Sequence, residues 1–247
     1  MSNVLLSARD LSIQFGGVVA ASNISLDVYE GENLAIIGPN GAGKTTFLNI
    51  CTGWLRPALG SVSFMGRDIT AHAPRDITRL GIARAFQIPQ LFSEHSVLEN
   101  MLLAAAAHAG RWNPFHKLDA IPERAAMMDL LALVGCADIA HENALHLPEG
   151  QRKLVDIAIA LALQPRLLLM DEPTAGVASS EKFGIMDMIV AALKQRGVTS
   201  VFVEHDMDMV TRYANRVAVW TTGAILREGA PKDVLADPEV IRTVIGG

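Results

Sequence analysis

The chain holds 247 residues, with 21 Lys and Arg against 26 Asp and Glu and a formal net charge of −5. Half of the residues are hydrophobic and only 19% are charged, which excludes intrinsic disorder; 20 Gly and 11 Pro exclude collagen-like and low-complexity chains. The acidic balance argues against a nucleic-acid binder, which carries a concentrated basic stripe.

Mean hydropathy is +0.28, yet the densest apolar runs, Met101–Ala107 and Ile157–Leu163, fall short of the roughly 20 residues that a spanning helix needs. The first ten residues carry no basic stretch ahead of their short apolar patch, so they do not read as a signal peptide. Cys51 and Cys136 form no CxxC-like pair and read as small buried hydrophobes in a reducing compartment.

In chain order, Val4–Leu6, Leu11–Phe15 and Ile24–Val28 read as short strands, punctuated by turns at Gly16-Gly17 and Glu30–Glu32. With the alternating stretch Gly60–Gly66 they predict a small antiparallel sheet. Leu34–Ile37 is a different kind of strand, a continuous apolar run suited to a parallel sheet buried on both faces. Leu167–Met170, Val198–Val203 and Arg216–Trp220 share that character. A helical pattern over Lys182–Gln195 lies between two of them, so the fold class is α/β with a mostly parallel core sheet. Val97–Ala109 and Pro122–Val134 predict two helices, the second with Pro at its first position, separated by a loop over 110–116. Residues of about 88–150 thus read as a helical subdomain inserted in a single domain spanning 1–247.

Gly38-Pro39-Asn40-Gly41-Ala42-Gly43-Lys44-Thr45-Thr46 fits G-x-x-x-x-G-K-[ST] and lies between the strand at 34–37 and a helix at 44–52. Glycines let backbone N–H groups turn inward on a phosphate, and the helix that follows offers unpaired N–H groups and a positive dipole end. Lys44 then meets the β- and γ-phosphates of a nucleotide, and the Thr45 hydroxyl ligates Mg²⁺. Asp171-Glu172 ends the apolar run at 167–170, where open α/β sheets bind ligands. Asp171 is expected to hold Mg²⁺ through water, and Glu172, pointing the other way, to act as general base. His205 follows the strand ending at Val203 and reads as a γ-phosphate sensor; the other six His show no metal-ligand spacing.

This ordered set resembles the ABC ATPases along essentially the whole chain. Gly38–Thr46 matches that family's Walker A motif, Gln87 in Arg84-Ala85-Phe86-Gln87 its Q-loop, Leu167–Glu172 its Walker B, and His205 its switch histidine. Leu147-Pro148-Glu149-Gly150-Gln151-Arg152 stands at the LSGGQ signature, and Phe15 where an aromatic packs on adenine. The resemblance implies ATP and Mg²⁺ as cofactors, with Thr45, Gln87 and Asp171 on the metal. Glu172, His205 and Gln87 become catalytic. Glu149, Gly150 and Gln151 face the nucleotide of an opposing cassette. More narrowly, Phe15–Ala20, Arg84–Gln87 and Asp237–Arg242 are similar to ATP-binding subunits of branched-chain amino-acid importers, whose relatives import urea, short amides or aromatic acids.

That resemblance implies separate transmembrane permease subunits, a solute-binding protein acting indirectly, and a peripheral position on the cytoplasmic face of the plasma membrane, with no nucleic-acid partner. The helical subdomain after Gln87 is then expected to receive a cytoplasmic helix of the permease, with Phe92, Met101 and Leu102 as exposed docking candidates. Pro148 and Glu149 depart from the family's Ser and Gly, and Ala178 stands where its D-loop carries Asp. Since these positions serve the opposite ATP site, a heterodimer with a second cassette is favoured over a homodimer. The alternatives are a non-transport ABC ATPase and a catalytically weak regulatory cassette.

Overall fold

The computed structural model describes residues 3–110 and 122–245. β1 (Val4–Phe15) and β2 (Val18–Tyr29) form a long antiparallel hairpin, followed by β3 (Asn33–Ile37) and α1 (Lys44–Cys51). β4 (Leu59–Phe64), β5 (Arg67–Asp68), α2 (Pro74–Leu80) and β6 (Ile82–Ala85) come next. Then follow α3 (Val97–His108), α4 (Arg124–Leu133), α5 (Glu149–Ala162), β7 (Leu167–Asp171), α6 (Lys182–Arg196) and β8 (Thr199–Val203). α7 (Met207–Tyr213), β9 (Arg216–Thr221), β10 (Ala224–Gly229), α8 (Pro231–Leu235) and α9 (Pro238–Val240) come after them, and a π-helical turn over Ile241–Ile245 follows. One sheet runs β2-β1-β4-β5 and a mixed, mostly parallel sheet runs β10-β9-β3-β8-β7-β6.

The chain divides into two compact units: Met1–Thr78 with Leu169–Glu172 and Thr199–Gly247, and Arg79–Leu168 with Pro173–Val198. In the first unit, β3 pairs in parallel with β8, Leu34 opposite Val201, and with β9, Leu34 opposite Arg216. Every residue of β7 and β8 is buried, as is Leu34–Ile37 of β3, so the unbroken apolar runs do mark strands covered on both faces. The predicted short N-terminal strands merge into two long ones. Asp10 (φ 51°) and Asn23 (φ 54°) take left-handed geometry at register shifts, and Asp10 N–H donates to Ser25 Oγ at 3.0 Å. The break in alternation at Arg9-Asp10 is thus a bulge inside one strand and not its end. β6 and β10 had no place in the sequence reading. β10 is the antiparallel edge strand, hydrogen-bonded to β9 and only partly buried.

Arg216 ties the two sheets of this unit together. Its guanidinium donates to Glu32 at 2.7 and 3.0 Å, to Glu228 at 2.5 Å and to the Asp27 carbonyl, and lies 4.9 Å from the centre of the Tyr29 ring. Those partners belong to β2, β10 and the turn entering β3. Only an arginine fork reaches so many acceptors at once.

In the second unit, α3, α4 and α5 pack on one another. α3 opens with a capping box: Ser96 Oγ accepts from Glu99 N–H, and Glu99 accepts from Ser96 N–H. Met101 and Leu102, expected on an exposed docking surface, are fully buried in the packed face of α3. Phe92, expected with them, is 62% exposed, because Asn100 bonds both Phe92 N–H and its carbonyl and holds that loop residue outward. Pro122 does not open α4. The first helical bond runs from Met127 N–H to Glu123 O, which makes Glu123 the N-cap and leaves Pro122 one step outside. Most of the loop expected over 110–116 lies outside the described residues. Both cysteines are buried, and burial lifts the Cys136 thiol to about 11.

Replacing Arg216 by Ala strands Glu32, whose side chain is only 12% exposed, without its cation. Urea unfolding of that variant should show a loss of about 3 kcal/mol, with Arg216→Lys recovering only part of it. An unchanged midpoint would remove Arg216 from this role.

Candidate functional site: a phosphate cradle

The loop from Gly38 to Gly43 connects β3 to α1, and its Asn40–Gly43 part lines, with Lys44–Thr46 and Glu172, an open cavity of about 210 Å³. Its three glycines do different work. At Gly38 (φ 153°) a Cβ would stand 2.3 Å from the Trp220 carbonyl oxygen, and at Gly43 (φ 97°) one would stand 2.0 Å from the Ala20 carbonyl oxygen. Gly41 (φ 80°) has nothing within 4 Å of a built Cβ. Gly38 and Gly43 therefore let the loop lie against the sheets, while Gly41 supplies the left-handed turn beside open space. Of the three, Gly41 alone faces open space where a Cβ would stand.

Lys44 is buried and its ammonium donates to the Gly38 and Pro39 carbonyls at 2.6 and 2.9 Å. Two of its three donors thus brace the loop. Burial pushes its pKa below the ordinary value, and the carboxylates of Glu172 and Asp171 pull the other way. Thr45 Oγ1 lies 3.5 Å from Asp171 Oδ1, which brings a hydroxyl and a carboxylate to one spot, the hard oxygen donors that Mg²⁺ takes. The residues present fit that ion.

β7 ends at Asp171, and Glu172 leaves the strand with φ 50°, a left-handed geometry that costs a non-glycine residue about 1–3 kcal/mol. Its N–H still bonds Val203 O at 3.1 Å, so the neighbouring strand over-determines the turn. Glu172 Oε1 accepts from His205 Nε2 at 2.9 Å. A carboxylate can only accept, so the bond assigns the proton to Nε2. His205 stands between the end of β8 and α7, whose N-cap Asp206 accepts from Asp208 and Met209 N–H. The predicted acid pair, histidine and cradle thus converge within one unit.

Phe15 closes β1, paired with Val18 across the hairpin turn and 49% exposed; Ala20, against which Gly43 rests, lies two residues beyond Val18. Gln87, Glu149, Gly150 and Gln151 belong to the second unit. There Pro148 is the N-cap of α5 and makes no side-chain capping bond, Glu149 occupies its first turn, and a Cβ on Gly176 would stand 3.3 Å from Glu149 Cγ. Sequence reasoning missed Gly223, whose N–H donates to Ala42 O and whose carbonyl accepts from Ser22 N–H, bridging cradle and β2. Its only signal was a turn between two β runs.

Comparison with known proteins bears on this geometry. The profile of the ABC transporter family matches residues 21–175, more than half of the chain. The chain belongs to the ABC transporter family. It is 36% identical to the probable branched-chain amino acid transport ATP-binding protein LivG of Archaeoglobus fulgidus, over 98% of this chain and 95% of that one. It is 34% identical to the high-affinity branched-chain amino acid transport ATP-binding protein BraF of Pseudomonas aeruginosa, over 100% and 99%. A crystal structure of the ADP conformation of an ATP-binding cassette of an ABC transporter superimposes with a TM-score of 0.87 at 34% identity, covering all of both chains.

The glycines give a separable test. Gly43→Ala should destabilise the chain and abolish ATP binding together. Gly41→Ala should keep the fold, with a stability loss of about 1–2 kcal/mol from its left-handed geometry, while weakening ATP binding. Calorimetric titration with ATP beside thermal unfolding checks both; equal behaviour of the two variants refutes the division.

Proposed function

We propose that the chain is the ATP-hydrolysing subunit of an importer for branched-chain amino acids or related small solutes such as amides, urea or aromatic acids. The convergence of Lys44, Thr45, Asp171, Glu172 and His205 around one cradle carries the reading of hydrolysis. The named relatives at 32–36% identity over nearly the whole chain supply the solute class. No helix among the described residues is long and apolar enough to cross a membrane. This favours separate permease subunits and a peripheral place on the cytoplasmic face of the membrane, with an extracytoplasmic solute-binding protein acting indirectly. One nucleotide-binding domain spans 1–247, with the helical subdomain at about 88–150 inserted in it.

In this reading the N–H groups opening α1 bind the phosphates, and Lys44 turns its remaining donor to them. Phe15 stacks on adenine. Thr45, Asp171 through water, and Gln87 would hold Mg²⁺, which would supply positive charge against the phosphates. Glu172 takes a proton from water as its oxygen attacks the γ-phosphorus, and the bond to the β–γ bridging oxygen breaks to leave ADP and phosphate. His205 holds Glu172 through Nε2–H, the same donor that senses the γ-phosphate.

Glu149, Gly150 and Gln151 face the nucleotide of a second cassette. Pro148 offers that phosphate no hydroxyl, and Glu149 adds negative charge at the end of α5 where an anion would be received. The ATP site completed by this signature is therefore the weaker, which favours a heterodimer over a homodimer. A regulatory, silent cassette is disfavoured by the intact contact between Glu172 and His205.

Glu172→Gln should keep ATP binding while slowing hydrolysis by about 10²–10⁴-fold and stopping uptake of radiolabelled leucine in vesicles carrying the assembled transporter. Turnover near wild type removes Glu172 as the base; hydrolysis lost with leucine uptake never present leaves the ATPase standing and refutes the solute. Lys44→Ala should abolish ATP-dependent pairing of cassettes in size-exclusion chromatography, and pairs that persist with ATP would refute the role of the cradle.

A further inference from the structure

The second unit buries two opposite charges that no step above uses. Lys153 and Asp156 are three residues apart on α5, 3% and 6% exposed. Asp156 Oδ2 accepts from Phe86 N–H at 3.2 Å and its Oδ1 from Gln90 N–H at 3.4 Å. Lys153 Nζ donates to the Gln87 carbonyl. Main-chain groups on both sides of the Gln87 side chain therefore end on one turn of one helix.

Residues 86–92 are neither helix nor strand, so no ladder satisfies their backbone groups. Elsewhere the buried face of α5 is apolar, with Leu154, Val155, Ile157, Ala158 and Leu161. Charges at two such positions are costly to bury unless matched, and what they match here is the backbone of this segment. Burial lifts the Asp156 carboxyl to about 6, against the pull of Gln90 and Phe86 N–H and of Lys153. A simple pair three residues apart on a helix has no need of the loop; here each member reaches it. The same helix opens with Glu149-Gly150-Gln151.

We propose that Lys153 and Asp156 are positioning residues that fasten the Gln87 segment to the signature helix, so that Gln87 and the signature move as one piece and Gln87 is presented from a fixed backbone. The functional side rests on the reading of Gln87 as a contact to nucleotide-bound Mg²⁺; the fastening itself does not. Asp156→Asn swaps one acceptor oxygen for an amide NH₂ facing a backbone donor, which breaks one of the two bonds while keeping shape. Lys153→Met keeps the stem and removes the donor.

Hydrogen exchange on the full chain tests the fastening directly. In Asp156→Asn, peptides spanning 86–90 should exchange about tenfold faster, the effect of one lost hydrogen bond, with α3 unchanged. Lys153→Met should loosen the same peptides and serves if the first variant does not fold. Fluorescent-ATP titrations then read function. The Mg²⁺ concentration for half-maximal tightening should rise about tenfold in Asp156→Asn, with ATP affinity in EDTA unchanged.

Gln87→Ala should show the same shift, and the double variant no more than either alone. A merely structural role predicts additive losses and equal weakening with and without Mg²⁺. Unchanged exchange at 86–90, or additivity, overturns the proposal. If the wild-type chain binds no ATP, the functional reading falls, and the exchange result still decides the fastening.

Discussion

Two close approaches of backbone to backbone hold the cradle, and the rest of the site depends on them. Gly38 lies against the Trp220 carbonyl of β9 and Gly43 against the Ala20 carbonyl of β2. The loop is thus pinned at one end to the parallel sheet and at the other to the antiparallel one. Any Cβ at either point would push the loop away from a sheet, and the N–H groups opening α1 would turn with it. Gly223 adds a hydrogen-bonded strut between Ala42 and Ser22. A cradle assembled this way needs little rearrangement to receive phosphate, the preorganisation that electrostatic stabilisation requires.

The same constraint explains why Arg216 matters to a site it does not touch. Its fork joins the turn entering β3 to β2 and β10, the sheets on which the two glycines rest. Relative movement of those sheets would open the loop. The left-handed Glu172 is a second local cost, carried by its bond to Val203 O, and it brings the carboxylate within reach of His205. Strand alternation alone would not have aimed it there.

Much of this was legible in sequence because burial on both faces leaves unbroken apolar runs. Leu34–Ile37, Leu167–Met170 and Val198–Val203 could be placed as parallel strands, and the motifs hung on their ends. The failures share a cause as well. Residues 7–10 fall between two predicted strands because composition does not distinguish a bulge from a turn. Met101 and Leu102 read as docking candidates because apolar character says nothing about which neighbour covers a helix face, and α4 and α5 cover this one. Short edge strands such as β10, half exposed, carry too weak an alternation to stand out. Gly223, Lys153 and Asp156 act on backbone groups far away in sequence, and no spacing rule reaches across such separations.

The signature region shows why intact motifs and altered ones have to be read by the site they serve. Thr45 meets Asp171, and Glu172 meets His205, all within one unit. Pro148, Glu149 and Ala178 lie in the other unit, where Glu149 rests against Gly176. Glu149 thus places a carboxylate in the first turn of α5, beside Gly176. A negative charge there opposes any anion that the positive end of the helix would receive. In the reading proposed above, that charge weighs on the site of a second cassette and leaves Lys44, Thr45, Asp171, Glu172 and His205 of this chain unaltered.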